Sequence, residues 1–81
     1  LQSIEHYVHF YDRSAEYHHY MHYRNGEVIK GIIVTEDNEY ISMEPNQGDL
    51  YSLYELQDDS ELIDITEISQ KEFEEIQAKV R

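Results

Sequence analysis

Five histidines fall within the first 22 residues, at His6, His9, His18, His19 and His22. Imidazole is the commonest metal ligand and the side chain that titrates nearest neutral pH. Were residues 14–24 helical, His18 and His22 would stand one turn apart and could chelate an ion. On a strand the same two point one way but lie about 13 Å apart, at ~3.3 Å per residue. His9 on a neighbouring strand would then sit about 7–8 Å from each, a marginal reach. No carboxylate stands at ligand spacing beside them. The expectation is therefore no metal site and no cofactor, with imidazoles stacked among tyrosines.

Other chemistry is scarcer still. The chain has no Cys, which removes zinc–thiolate sites, disulfides and thiol nucleophiles. It has no Gly-x-Ser-x-Gly elbow and no phosphate-cradling glycine loop. The acid pairs Asp58/Asp59 and Glu74/Glu75 are adjacent in sequence and are expected to be solvated, with Ser60 a turn residue among them. No catalytic residue is assigned and no enzymatic activity is expected.

Charge is the more informative property. The formal net charge is −12 in 81 residues, and it is lopsided. Residues 1–35 hold four acids against three bases, whereas residues 36–81 hold fourteen acids against three bases. The fourteen are Glu36, Asp37, Glu39, Glu44, Asp49, Glu55, Asp58, Asp59, Glu61, Asp64, Glu67, Glu72, Glu74 and Glu75. Such a balance disfavours nucleic acid and anionic membranes, which need basic patches. It favours solubility and basic partners. No run approaches the ~20 apolar residues of a membrane span, and no signal-peptide pattern opens the chain. The expected setting is the cytoplasm of a bacterial host.

The elements that must position these groups follow from alternation and turn residues. Length allows one domain over residues 1–81. Asn25-Gly26 is a strong hairpin signal, because a type I′ turn needs φ > 0 at both central residues. Pairing across it sets Arg24 opposite Glu27, Tyr23 opposite Val28, Met21 opposite Lys30 and His19 opposite Ile32. A second two-residue turn at Asp37-Asn38 would set Thr35 opposite Tyr40, Val34 opposite Ile41 and Ile32 opposite Met43. A turn at residues 13–16 sets Asp12 opposite Tyr17, Phe10 opposite His19 and Val8 opposite Met21. One face then collects Ile4, Val8, Phe10, Tyr17, His19, Met21, Tyr23, Val28, Ile32, Val34, Ile41 and Met43, as a core face should. A helix over residues 3–11 is the competing reading, with Ile4, Val8 and Tyr11 in line.

Beyond Met43, residues 45–49 read as a loop, and Leu50, Tyr54 and Leu56 as a fifth strand. Residues 57–61 form a polar turn, and Leu62–Thr66 a short sixth strand. Ser69 with Glu72 three residues on is a capping box. It opens a helix over about 69–80 whose apolar stripe is Phe73, Ile76 and Val80. Acids fill its first turns, and Lys79 and Arg81 its last, matching the macrodipole. The fold class is mainly β (α+β): an antiparallel meander of five to six strands with one C-terminal helix. Over Tyr23 to Ile68, the order turn, Gly-Glu-Val-Ile-Lys-Gly-Ile-Ile-Val, turn, strand, loop, two strands resembles small SH3-like or Sm-like barrels.

Two surfaces are candidates for function. The face opposite the core carries Tyr7, His9, Tyr11, His18, Tyr20, His22 and Tyr40, with Ile29 and Ile33. This aromatic and imidazole plate suits a homodimer or a protein partner; the alternative is burial within the monomer, as the inner side of a barrel or under the helix. The second surface is the set of fourteen acids. A domain of this size has a radius of gyration near 12 Å and spans about 30 Å. Duplex DNA over that span carries roughly 18 charges. In size and charge the chain resembles the acidic DNA-mimic inhibitors encoded by phages and mobile elements. That resemblance implies a basic partner whose nucleic-acid site is occupied: a nucleoid-associated HU-like protein, a nuclease, or a CRISPR or restriction effector. An SH3-like structural or adaptor domain, binding a protein or peptide through the Tyr/His face, is the alternative.

Overall fold

The computed structural model describes residues 4–44, 56 and 58–80. Five strands form one antiparallel sheet: β1 (Glu5–Asp12), β2 (Tyr17–Arg24), β3 (Glu27–Val34), β4 (Tyr40–Met43) and β5 (Leu62–Ile68). One helix follows among the described residues, α1 (Gln70–Gln77). The strand order is β4-β3-β2-β1-β5. β1 to β4 are a meander, but β5 leaves that order and pairs antiparallel with β1. Among the described residues the sheet is open, with β4 and β5 at its edges, and it does not close into the expected barrel. Of the expected strand through Leu50, Tyr54 and Leu56, only Leu56 is among the described residues, and it stands in a turn. None of the described helices is long and apolar enough to cross a membrane. The radius of gyration is 12.0 Å and the extents are 41 × 30 × 23 Å.

The first hairpin follows from side-chain capping. Asp12 Oδ1 accepts from the Ser14 amide (3.0 Å), the Ser14 hydroxyl (2.7 Å) and the Ala15 amide (3.2 Å). Such an Asx-type turn competes with helix formation. Glu16 takes φ 60 to close it. The β1–β2 register is the expected one, with Asp12 opposite Tyr17, Phe10 opposite His19 and Val8 opposite Met21. The helical reading of residues 3–11 therefore loses to alternation, and so does any helix carrying His18 and His22. At the second turn Asn25 (φ 54) and Gly26 (φ 85) both occupy the left-handed region, as a type I′ turn demands. Asn25 also holds the start of β1, since its Oδ1 accepts from Ile4 N at 3.0 Å.

The β2–β3 ladder departs from the expected register. Tyr23 opposes Val28, but His22 opposes Lys30, so Ile29 is an extra residue. This bulge sets Met21 opposite Gly31, His19 opposite Ile33 and Tyr20 opposite Ile32. The next turn is shifted too. Thr35 N donates to Glu39 O at 3.0 Å and Asn38 has φ 62. That is a three-residue loop with a left-handed final residue, not a two-residue turn at Asp37-Asn38. Val34 then faces Tyr40, Ile33 faces Ile41 and Ile32 faces Ser42. Ile32 and Val34 thus change sides, away from the face to which alternation had assigned them.

Two faces result. The core face gathers Val8, Phe10, Met21, Tyr23, Leu56 and Leu62 into one cluster, with Val28 packed against it. Asp12 and His19 are buried with them. Ile4 and Ile41, expected there, are 63% and 42% exposed, and Tyr17 and Met43 are half-buried. Each fully buried large side chain contributes about 1.5–3 kcal/mol. The second face, here the helix face, carries Tyr7, His9, His18, Tyr20, His22, Ile32, Val34 and Tyr40 by register. α1 lies on it through Phe73, which packs on the Tyr7 and His22 rings.

α1 begins as the capping pattern requires. Ser69 is extended (φ −80, ψ 159), and its Oγ accepts from Glu72 N at 3.1 Å. Phe73 is buried, while Ile76 and Val80 are half-buried. The helix stops at Gln77 with Ala78 as its C-cap, so its last turn holds no base. Lys79 lies beyond the end, and Arg81 lies outside the described residues.

Candidate functional site

The Tyr/His plate is divided by the helix. At one end Tyr7 and His22, directly opposite in register, stack at 4.4 Å with planes 16° apart. Phe73 covers both, at 5.4 Å and 5.8 Å. Burial raises the Tyr7 hydroxyl pKa above its usual value, and nearby Glu5 adds to that. His22 Nε2 reaches Glu5 Oε1 at 3.0 Å, and Arg24 Nε donates to Glu5 Oε2 at 3.0 Å. The Arg24 hydrogen bond holds the Glu5 carboxyl below its ordinary pKa. This end of the plate is part of the fold.

The other end is only partly covered. His9 stacks on its cross-strand partner Tyr20 at 4.6 Å. His9 Nε2 lies 2.8 Å from His18 Nδ1. Burial, and then the neighbouring His18, lower the His9 pKa. Tyr11 tilts against His18 at 4.9 Å. His9 and His18 are diagonal neighbours, as expected, and their rings close that gap to touch. Two nitrogens at 2.8 Å share one proton, one ring donating and the other accepting. Among the described residues no three His, Asp or Glu gather as a metal-binding group. Exposed beside this patch are His18 itself, Thr66 opposite His9, and Ile63, which is 36% exposed and sits opposite Tyr11.

His19 tells the opposite story on the core face. It is 2% exposed, stacked on Phe10 at 4.7 Å and tilted against Tyr17 at 4.9 Å. Burial pushes its pKa down to about 4, against the pull of Asp12, whose Oδ2 lies 3.8 Å away. Burial opposes ionisation of Asp12 as well. Its hydrogen bonds from Ser14 and Ala15 outweigh that and hold it below the usual carboxylate range. A neutral imidazole therefore sits beside a carboxylate that already has other donors.

The acids form an exposed population in three places. Asp49 and Glu55 lie outside the described residues. Of the other twelve, all but the half-buried Asp59 are exposed. Glu36, Asp37 and Glu39 sit in the β3–β4 loop, and Glu44 follows β4. Glu72, Glu74 and Glu75 lie on α1, over the helix face. Asp58, Asp59 and Glu61 occupy the turn before β5, and Asp64 and Glu67 lie on β5 itself. They do not make one ridge. Glu67 stands opposite Val8, on the core-face side, and pairs with His6 at 2.5 Å. Asp59 works as a turn cap, its Oδ1 accepting from Glu61 N at 2.9 Å. Asp64 carries φ 55 at an irregular step of the β1–β5 ladder. The helix and the β3–β4 loop are the parts that come together, because Lys79 lies 5.5 Å over the Tyr40 ring just past the helix end.

The Lys79–Tyr40 contact was not among the expected site features, whereas packing of the helix on the plate was one of the two expectations for that face. Residue types alone gave no hint, since 39 positions of chain separate Tyr40 from Lys79. The useful signal was the apolar stripe of α1, which had to land on some face of the sheet. Comparison of the chain with protein-family models, curated proteins and solved structures gave no match.

Proposed function

We propose that the protein is an interaction module that engages a basic protein surface through the carboxylates of α1 and the β3–β4 loop. The reading is that of a DNA mimic, occupying the nucleic-acid groove of a DNA-binding protein. No catalytic step is assigned. The observation that carries it is the exposure of Glu72, Glu74 and Glu75 on α1 and of Glu36, Asp37 and Glu39 in the β3–β4 loop, which meets the chain just past the end of α1. Carboxylates held on regular elements present a fixed array, which costs less ordering on binding than a floppy acidic tail. The same counterion release that drives DNA onto a basic groove would drive this surface onto it.

The test is displacement of a DNA duplex from an HU-like protein, a nuclease or a restriction or CRISPR effector. Displacement should be strong at about 50 mM salt and much weaker at about 200 mM. Reversing Glu72 and Glu75 to Lys should abolish it. No displacement from any of these proteins at low salt sinks the idea.

A second reading is favoured by one specific observation, the uncovered end of the plate. His9, Tyr11, His18 and Ile63 lie there together, with His18 exposed. Such a patch suits an adaptor or structural role, taking a peptide or a second copy of the chain. In that case the charge reversals leave binding intact, and Tyr11→Ala with His18→Ala removes it.

A further inference from the structure

Just past the end of α1 the helix face opens into a pocket of about 810 Å³. The loop residues Asp37, Glu39 and Tyr40 line one side, and Ala78, Lys79 and Val80 the other. The Tyr40 ring is half-buried, and the Lys79 ammonium lies over it, 5.5 Å from its centroid. Asp37 and Glu39 are exposed at the same pocket and make no ion pair among the described residues. Among the described residues, Lys79 lies over the ring and neither carboxylate has a cationic partner.

We propose that this pocket receives a Lys or Arg side chain of a protein partner, which takes the place of Lys79 on Tyr40 and pairs with Asp37 and Glu39. A cation over a tyrosine face is attracted by the ring quadrupole. The two carboxylates add a charge-assisted pairing that Lys79 does not make. Arg fits best, because its planar guanidinium stacks on a ring and forks toward a carboxylate together. Lys79 is exposed, so leaving the ring returns it to water without opening a core. Asn38 holds the loop between the two acids in its left-handed turn (φ 62), so the cradle is set before a partner arrives. This inference rests on the basic-partner reading above and assigns that reading one anchoring residue.

The probe is an end-blocked triarginine peptide, titrated into the whole chain while the Tyr40 ring resonances are followed. Those resonances should shift on binding. Lys79→Ala should tighten binding by about twofold to fivefold, the range an exposed cation–π contact spans. Lys71→Ala makes the same charge change on the helix and should leave affinity as it was. Asp37→Asn with Glu39→Gln should weaken binding at least as much, and Tyr40→Leu should weaken it where Tyr40→Phe does not. These loop and ring changes lie off the core, and thermal melting of each variant confirms folding. Tightening of equal size in Lys79→Ala and Lys71→Ala, or no weakening in the double loop variant, overturns the proposal. DNA displacement that the double loop variant leaves undiminished rejects the pocket and spares the mimic. Peptide binding at Tyr40 without any DNA displacement rejects the mimic and spares the pocket.

Discussion

His18 and His19 are neighbours in the chain, and the sheet sends them into different solvents. His18 is exposed on the helix face and shares a proton with His9. His19 is 2% exposed on the core face, packed on Phe10, with its pKa pushed down to about 4. The same division runs along the whole of β1 and β2. On one face, Phe10, Met21 and Tyr23 are sealed beneath Leu56 and Leu62. On the other, Phe73 covers Tyr7 and His22, and the rings of His9, Tyr20 and Tyr40 are only half-buried. The lesson is that residue type did not decide burial here. His and Tyr occur on both faces, and the parity of each position fixed its surroundings.

The comparison breaks first at Phe10. Phe10→Ala should cost about 4 kcal/mol, a large part of the 5–15 kcal/mol expected for a small domain, as a drop in denaturation midpoint would register. A similar loss is not expected from Tyr11→Ala, one residue on and on the wet face.

Acid should act next, and through the core face. His19 in the folded protein has a pKa of about 4, against 6.5 when unfolded. The unfolded chain therefore binds the extra proton as pH falls below 6.5, and stability declines until about pH 4. The full loss is about 3 kcal/mol. Urea midpoints between pH 7.5 and 4 should show it, and His19→Phe should flatten that part of the profile. If the profile keeps its slope in His19→Phe, the buried imidazole is not its cause.

On the helix face Phe73→Ala should cost less, about 3 kcal/mol, because the Tyr7 and His22 rings beneath Phe73 are themselves half-buried and water can enter the space it leaves. Its mark should be local, with helical circular dichroism lost and the β signal kept. Equal loss of both would mean that the two faces fold as one unit. Smallest is Ser69→Ala, which removes the acceptor of the Glu72 amide. About 1 kcal/mol is expected, visible as earlier fraying of α1 in hydrogen exchange.

Much of this division could be read in advance. The β1–β2 hairpin was legible because Asp12, Asn25 and Gly26 fix its ends and Val8, Phe10, Met21 and Tyr23 agree in parity. The helix was legible from Ser69 and from Phe73, Ile76 and Val80. β3 was not. Its run from Val28 to Val34 is apolar at nearly every position, because it is covered on both sides. A strand without alternation cannot announce a bulge. The pairing of β5 with β1 was also silent, being a matter of distant chain segments. Of the candidate site, exposure of the described acids other than Asp59 was legible and their spread over three locations was not. Where a carboxylate ends up depends on the same hidden registers.

The extra residue at Ile29 has a consequence for how this chain tolerates changes in length. Deleting Ile29 would restore an unbroken ladder and leave Tyr20 against Ile32 as it stands. Deleting Ile33 instead would carry Val34 across to the opposite side of the sheet. One shortening is absorbed and the other turns the edge inside out, though both remove a single isoleucine from the same strand. Melting temperatures of the two deletants would tell them apart.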